Sequence, residues 1–317
     1  MRKLAALAAL VFAGATWAQT YPAKPITIIV PFTPGSATDV AARLVGEKLN
    51  AAWGQPVIVD NRPGAGGTIG IAQTARAEPD GYTLAVVSTG HVVNPVLYKD
   101  LPYDTLKDLA GVAPIASLPS VLVVAPGLGV KNVKELVALA NAKPGALNYG
   151  TAGVGSAAHI NSEKFNHAAG IKAVHIPLKG TPPILAETMA GRVHFAWVPS
   201  LGSMGLLKDG KLVALAVSTP RRIAALPEVP TIAEAGYPGG EFNFWVGMLA
   251  PAKTPREVVA KVNAEVNKAL KLPEVIDRLA KLGAEPMSMT PAEFDAFIRH
   301  EHDELGKIMR DAGAKPQ

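Results

Sequence analysis

The chain contains no cysteine. Disulfides, thiolate metal sites, cysteine nucleophiles and lipid anchors on cysteine are therefore excluded. Charged residues are few, at 18%, and no basic run is longer than Arg221-Arg222. Nucleic-acid binding requires a clustered basic stripe, so it is set aside. The seven histidines are dispersed. His300 and His302 stand two apart on an expected helix and cannot share a face. Neither an HExxH zinc spacing nor a GxSxG nucleophile elbow occurs. These absences leave no metal site, no cofactor motif and no acid–base pair, and the expectation is a protein that is not an enzyme.

What is present begins with Met1-Arg2-Lys3, a short basic start, followed by an almost purely apolar run over residues 4–17. Thr16-Trp17-Ala18 then places small residues at the two positions a signal peptidase reads. Residues 1–18 are read as an export signal. Beyond them no apolar stretch approaches the roughly 20 residues that span a bilayer. Removing Arg2 and Lys3 takes the net charge from +5 to +3, which is compatible with an anionic small ligand.

Apolar residues make up 49% of the 317, a well-packed composition. The length exceeds the ~250–300 residues at which one core stops growing, so two lobes are expected. Apolar strand-like runs alternate with helical spacings. Ile26-Thr27-Ile28-Ile29-Val30, Val57-Ile58-Val59 and Val121-Leu122-Val123-Val124 read as strands, as do residues 83–87, 148–150, 174–177, 193–198, 213–217 and 244–249. Residues 38–50 carry helical periodicity. Asn132 with Glu135, Thr254-Pro255-Arg256-Glu257 and Thr290-Pro291-Ala292-Glu293 carry helix-start signatures. This alternation predicts an α/β fold with parallel strands.

Two strand-to-helix junctions stand out: residues 31–39 (Pro-Phe-Thr-Pro-Gly-Ser-Ala-Thr-Asp) and 149–157 (Tyr-Gly-Thr-Ala-Gly-Val-Gly-Ser-Ala). Each leads into a helix through small and hydroxyl residues. Free N–H groups and the positive dipole end make such starts anion sites without a charged side chain. Ser36, Thr38 and Ser156 are equally ordinary helix caps. A third glycine-rich stretch, residues 62–70, lacks the GxGxxG spacing because position 69 is Ile, and reads as a structural turn.

Taken together, these segments resemble the Bordetella uptake gene (Bug) receptors of tripartite tricarboxylate transporters. The resemblance rests on Tyr21-Pro22-Ala23-Lys24-Pro25-Ile26, Val30-Pro31-Phe32-Thr33-Pro34-Gly35 with Asp39, and Gly54-Gln55-Pro56-Val57. It also rests on Asn61-Arg62-Pro63-Gly64-Ala65-Gly66-Gly67, Pro79-Asp80-Gly81-Tyr82-Thr83-Leu84, residues 147–153 and residues 226–231. It implies a type II periplasmic-binding-protein fold, in which two α/β lobes are joined by two crossing strands with a ligand cleft between them. The expected division is 19–121 plus 246–317 for lobe 1 and 122–245 for lobe 2, with crossings at residues 121–124 and 245–249. The implied ligand is a small carboxylate, and the implied partners are the membrane subunits of the transporter. No cofactor is implied, and the receptor is expected to be a periplasmic monomer.

By position, the first loop would supply Phe32, Ser36, Ala37, Thr38 and Asp39, and the second Thr151, Gly153, Ser156 and His159. Ser88 and Thr89 would add a lobe 1 contact. The chain departs from the family pattern at Ser36, where a glycine is usual, and at Val198, where many relatives carry aspartate. Valine beside Trp197 implies an apolar cleft wall, disfavours an amino-acid ligand and favours a carboxylate with an apolar body. The alternatives are a receptor for a signalling partner, which neighbouring genes would reveal, and a hydrolase on a similar bilobed fold, which turnover would reveal.

Overall fold

A computed structural model describes residues 21–281, 284–311 and 316. The expected export signal, 1–18, lies outside the described residues. The first sheet contains β1 (Ile26–Val30), β2 (Val57–Asn61), β3 (Thr83–Ser88), β4 (Leu109–Leu118), β10 (Phe244–Pro251) and β11 (Glu285–Pro286), in the order β11-β4-β10-β3-β1-β2. The second contains β5 (Ser120–Val124), β6 (Asn148–Thr151), β7 (Val174–Pro177), β8 (Phe195–Pro199) and β9 (Val213–Val217), in the order β7-β6-β8-β5-β9. Around the first sheet pack α1 (Ala37–Trp53), α2 (Thr68–Ala75), α3 (Gly90–Leu97), α8 (Arg256–Ala269), α9 (Pro273–Ala280) and α10 (Pro291–Asp311). The second lobe contributes α4 (Val133–Ala142), α5 (Ala157–Ala169), α6 (Thr181–Met189) and α7 (Ser200–Lys208).

The strands β1, β3, β5, β8 and β10 are nearly continuous buried runs, as expected where both faces of a sheet are covered. In β1, Ile26, Ile28, Ile29 and Val30 are all buried, and each such side chain contributes about 1.5–3 kcal/mol on burial. The expectation of parallel strands holds for β1 with β2 and β3, and for β6 with β7 and β8. It fails for β10 against β3 and β4, and for β5 against β8 and β9, which are antiparallel. These exceptions flank the points where the chain changes lobe, so a strand enters its new sheet from the opposite end.

β5 lies wholly in the second sheet and β10 wholly in the first. The chain therefore changes sheet at Pro119 and again across residues 218–243. Ser218 joins the two passages. Its N–H donates to the Ser120 carbonyl at 2.9 Å, its hydroxyl donates to the Phe242 carbonyl at 2.7 Å, and the Ser120 N–H donates to that hydroxyl at 3.2 Å.

Candidate functional site

The two loops singled out in the sequence are built alike. Gly35 and Gly155 adopt φ of 79° and 78°, values open to glycine and costly for other residues. Each is followed by a serine that caps a helix: the Ser36 hydroxyl accepts from the Asp39 N–H and the Ser156 hydroxyl from the His159 N–H, both at 3.3 Å. Each serine N–H donates to a carbonyl three residues back, Thr33 and Gly153, at 3.1 Å. In each loop the residue four after the glycine then bonds back to it. The Gly35 N–H donates to Asp39 Oδ2 at 2.9 Å, and the Gly155 N–H to His159 Nδ1 at 3.2 Å. One loop begins α1 in lobe 1; the other begins α5 in lobe 2.

They meet across a small interlobe cavity. Its lining combines Phe32, Ser36, Ala37, Thr38, Ser88 and Phe244 of lobe 1 with Ala152, Ser156, Ala157, Ala158, Gly180, Thr181 and Pro199 of lobe 2. No charged side chain is among them. The positive character comes from the backbone. α1, α5 and α6 open directly on the cavity through Ala37, Ala157 and Thr181, while α3 and α7 start next to the lining residues Ser88 and Pro199. The first N–H groups of a helix have no partner within the helix, so these starts offer donors to an anion, and each dipole adds about 0.3–1 kcal/mol. The cavity holds about 30 Å³, room for one or two waters or an oxygen-sized headgroup. A chamber of about 290 Å³ shares Phe32 and Ala152 with it and is also lined by Gly66, Tyr98, Val154, Leu178 and Lys179.

Of the residues anticipated, Phe32, Ser36, Ala37, Thr38, Ser88 and Ser156 line the central cavity. Asp39, Thr89, Thr151, Gly153 and His159 do not; they brace it from behind. The Asp39 carboxylate accepts from the Gly35 N–H, from Arg43, and from Asn61 Nδ2 at 2.9 Å. Burial pushes this carboxyl up, but the Arg43, Gly35 and Asn61 hydrogen bonds outweigh it and hold it below its ordinary value. Thr89 is tied to the Trp245 backbone, its hydroxyl accepting from the Trp245 N–H at 2.9 Å. Thr151 Oγ1 accepts from the Gly153 N–H at 3.2 Å and meets His175 Nε2 at 2.6 Å. Gly153 borders the larger chamber. The His159 ring stacks on His175 at 4.3 Å. Burial, reinforced by His175, lowers His159 to about 3, and burial lowers His175 to about 4. A neutral His159 keeps Nδ1 free to accept from Gly155.

The expected wall at Trp197 and Val198 is absent from the cleft. β8 is the central strand of the second sheet and buries both faces. Trp197 packs edge-on against Phe165 at 5.9 Å, within the core that also holds Tyr149 and Phe195. Val198 points to the other face, among Val121, Ile184 and Val217. Pro199, at the strand end, is the residue that reaches the cavity. The glycine-rich stretch after β2 is also more than a turn. A Cβ on Gly66 would lie 2.0 Å from the Val154 carbonyl oxygen of the other lobe, and the Tyr98 hydroxyl donates to that same carbonyl at 2.6 Å. Ala152 and Ala157 belong to the second loop, and Ala158, Gly180, Thr181, Pro199 and Phe244 complete the lining without having been named as ligand contacts, since no loop motif marks them. Among the described residues no cluster of three or more His, Asp or Glu could hold a metal ion, and no helix is long and apolar enough to cross a membrane.

Two lobes closing on a cleft of helix starts define the class of bilobed periplasmic solute-binding proteins. The chain belongs to the tripartite tricarboxylate transporter receptor family, which matches residues 41–314. It is 37% identical over 312 residues to the UPF0065 protein of the tcbD-tcbE intergenic region of a Pseudomonas strain, covering 97% of this chain and 93% of the relative. It is 37% identical over 300 residues to Protein BugT of Bordetella pertussis, covering 94% and 92%. Among solved structures it is similar to an R. palustris protein with adipate, at a TM-score of 0.91 and 34% identity, covering 94% of this chain and 100% of that one. It is similar also to MatC from Rhodopseudomonas palustris with bound malate, at 0.87 and 31%, covering 91% and 99%. The family consists of periplasmic receptors, and the protein is a binding protein, not an enzyme.

Proposed function

We propose that this chain captures a small carboxylate between its lobes and presents it to the membrane subunits of a tripartite transporter. It does so as a monomer in the periplasm, after removal of residues 1–18. Among the described residues, lobe 1 comprises 21–118 and those from 244 to 311, and lobe 2 comprises 120–217 with the return passage. The observation that carries the reading is the convergence of helix starts and three serine hydroxyls on one cavity without a charged side chain. That arrangement favours an anionic oxygen group over a cation or a sugar. The ligands of the similar structures, adipate and malate, are both carboxylates. Phe32, Phe244, Pro199 and the alanines supply apolar contact, so an apolar body is favoured beyond the carboxylate, extending past Phe32 into the larger chamber.

Ligand that binds only the closed form stabilises the fold, by about 2.7 kcal/mol at ~100-fold excess over Kd. A thermal-shift screen of mono- and dicarboxylates, with sugars, amines and metal cations as comparison, tests the reading. Carboxylates are expected to raise the melting temperature. A shift by a sugar or a cation with every carboxylate silent would refute it.

A further inference from the structure

Val154 stands between Gly153 and Gly155 in the second loop, and it is a knob that enters lobe 1. Its side chain packs against the lobe 1 core, in a cluster that also takes in Ala157 and Ile160 of α5. The socket that receives the knob is made by Gly66, Asn94, Leu97 and Tyr98. A Cβ on Gly153 would stand 3.1 Å from the Gly66 nitrogen. One on Gly155 would stand 2.8 Å from Asn94 Oδ1 and 3.1 Å from Leu97 Cδ1. Backbone therefore approaches lobe 1 as closely as glycine allows. At the end of α3, the Tyr98 hydroxyl completes the socket by donating to the Val154 carbonyl at 2.6 Å. Burial raises this hydroxyl to about 12, so it stays protonated and remains a donor.

We propose that Tyr98 is a positioning residue for capture, whose hydrogen bond to the Val154 carbonyl locks the lobes closed by gripping the backbone of the second anion loop, with or without ligand. Tyr98 acts through that loop. It ends the helix whose start stands next to the lining Ser88, and Val154 lies two residues before the lining Ser156. Fastening one to the other brings the lobe 1 and lobe 2 sides of the cavity face to face. Tyr98 and Val154 both line the larger chamber as well, so closing the lock completes the wall of that chamber.

When the lobes part, the hydroxyl and the carbonyl each return to water. The bond therefore counts toward closure and not toward the stability of either lobe. A neutral hydrogen bond shifts such an equilibrium by about three- to tenfold once lost hydration is set against it. That is strong enough to bias closure and weak enough to release. Without the hydroxyl, closing would bury the carbonyl with no donor, which opposes the closed form. This inference goes beyond the proposed function, because it can be read without any ligand.

The chain has no cysteine, so Asn50→Cys and Lys143→Cys, at exposed sites on the two lobes, give a unique pair for spin labels. Distance distributions of the ligand-free protein then measure closure directly. The native sequence is expected to show a closed component. Tyr98→Phe deletes only the hydroxyl and should reduce the closed-to-open ratio by about three- to tenfold. Val154→Ala keeps the carbonyl but trims the knob, and should reduce the ratio as well; it carries the test if Tyr98→Phe does not fold. Tyr103→Phe is the control. It removes a hydroxyl that accepts from Asn94 Nδ2 within lobe 1 at 3.1 Å, and should leave the ratio native. A merely structural role for Tyr98 would lower the melting temperature and leave the distances unchanged. The proposal is overturned by a native distribution with no closed component, by an unchanged ratio in Tyr98→Phe or Val154→Ala, or by an equal loss in Tyr103→Phe.

Discussion

Asp39 and His159 occupy equivalent places in the two loops, yet they answer to acid differently. Each accepts the N–H of the glycine four residues before it. For His159 and His175, burial holds the folded-state pKa at about 3 and about 4, below the ordinary 6.5. The unfolded chain then binds more protons between those values, so stability is full above pH 6.5 and falls as pH drops toward 4. Replacing His175 by Gln should flatten the slope of melting temperature against pH in that window; an unchanged slope would show that His175 does not titrate with unfolding. For Asp39, whose carboxyl is held low, the contribution is present above pH 4 and is lost only in stronger acid. Asp39→Ala removes a buried carboxylate together with its hydrogen bonds from the Gly35 N–H, Arg43 and Asn61, and should cost about 1–3 kcal/mol by chemical denaturation while also weakening carboxylate binding. The repeated Gly-Ser-x-x-Asp and Gly-Ser-x-x-His pattern was in the sequence, but its equivalence is visible only once both side chains are seen folding back on their glycines.

At the scale of elements, local chemistry was legible where it is self-contained. Thr290 and Glu293 form the capping box their spacing predicts, with the Glu293 carboxylate accepting from the Thr290 N–H at 2.8 Å. The matching signature at Thr254 does not form. α8 starts after Pro255, and Thr254 Oγ1 has no hydrogen-bond partner among the described residues. Thr290→Ala should therefore cost about 1 kcal/mol, whereas Thr254→Val should be near neutral, and urea titrations of the two variants check the contrast. β4 was not legible. Gly111, Pro114 and its alanines are poor strand formers, and the strand is made by its pairing with β10, through two register shifts, and with the short β11. Trp197 and Val198 were misread for a related reason: a strand buried on both faces reads the same as one with a face in a cleft.

At the scale of the molecule, closure depends on glycines that face the other lobe. Gly90 opens α3 with an ordinary helical backbone, yet a Cβ there would lie 2.5 Å from the Gly155 carbonyl oxygen. Gly90→Ala should leave the unliganded fold as stable as before, since alanine is the better helix former, while reducing carboxylate affinity by at least about tenfold through the blocked closed state. Calorimetric titration alongside a melting curve separates the two effects. The two-lobed plan, the family and most of the lobe 1 side of the cavity were readable from chain length and scattered loop motifs, whereas Gly180, Thr181 and Pro199 on the lobe 2 side were not, because no loop motif marks them. The central claim, that this cleft recognises a carboxylate through helix starts, is tested most directly by calorimetric titration of a bound carboxylate against its own carboxamide. The account predicts that exchanging one oxygen of the carboxylate for NH₂ removes measurable binding. Equal affinity for the neutral amide would contradict it.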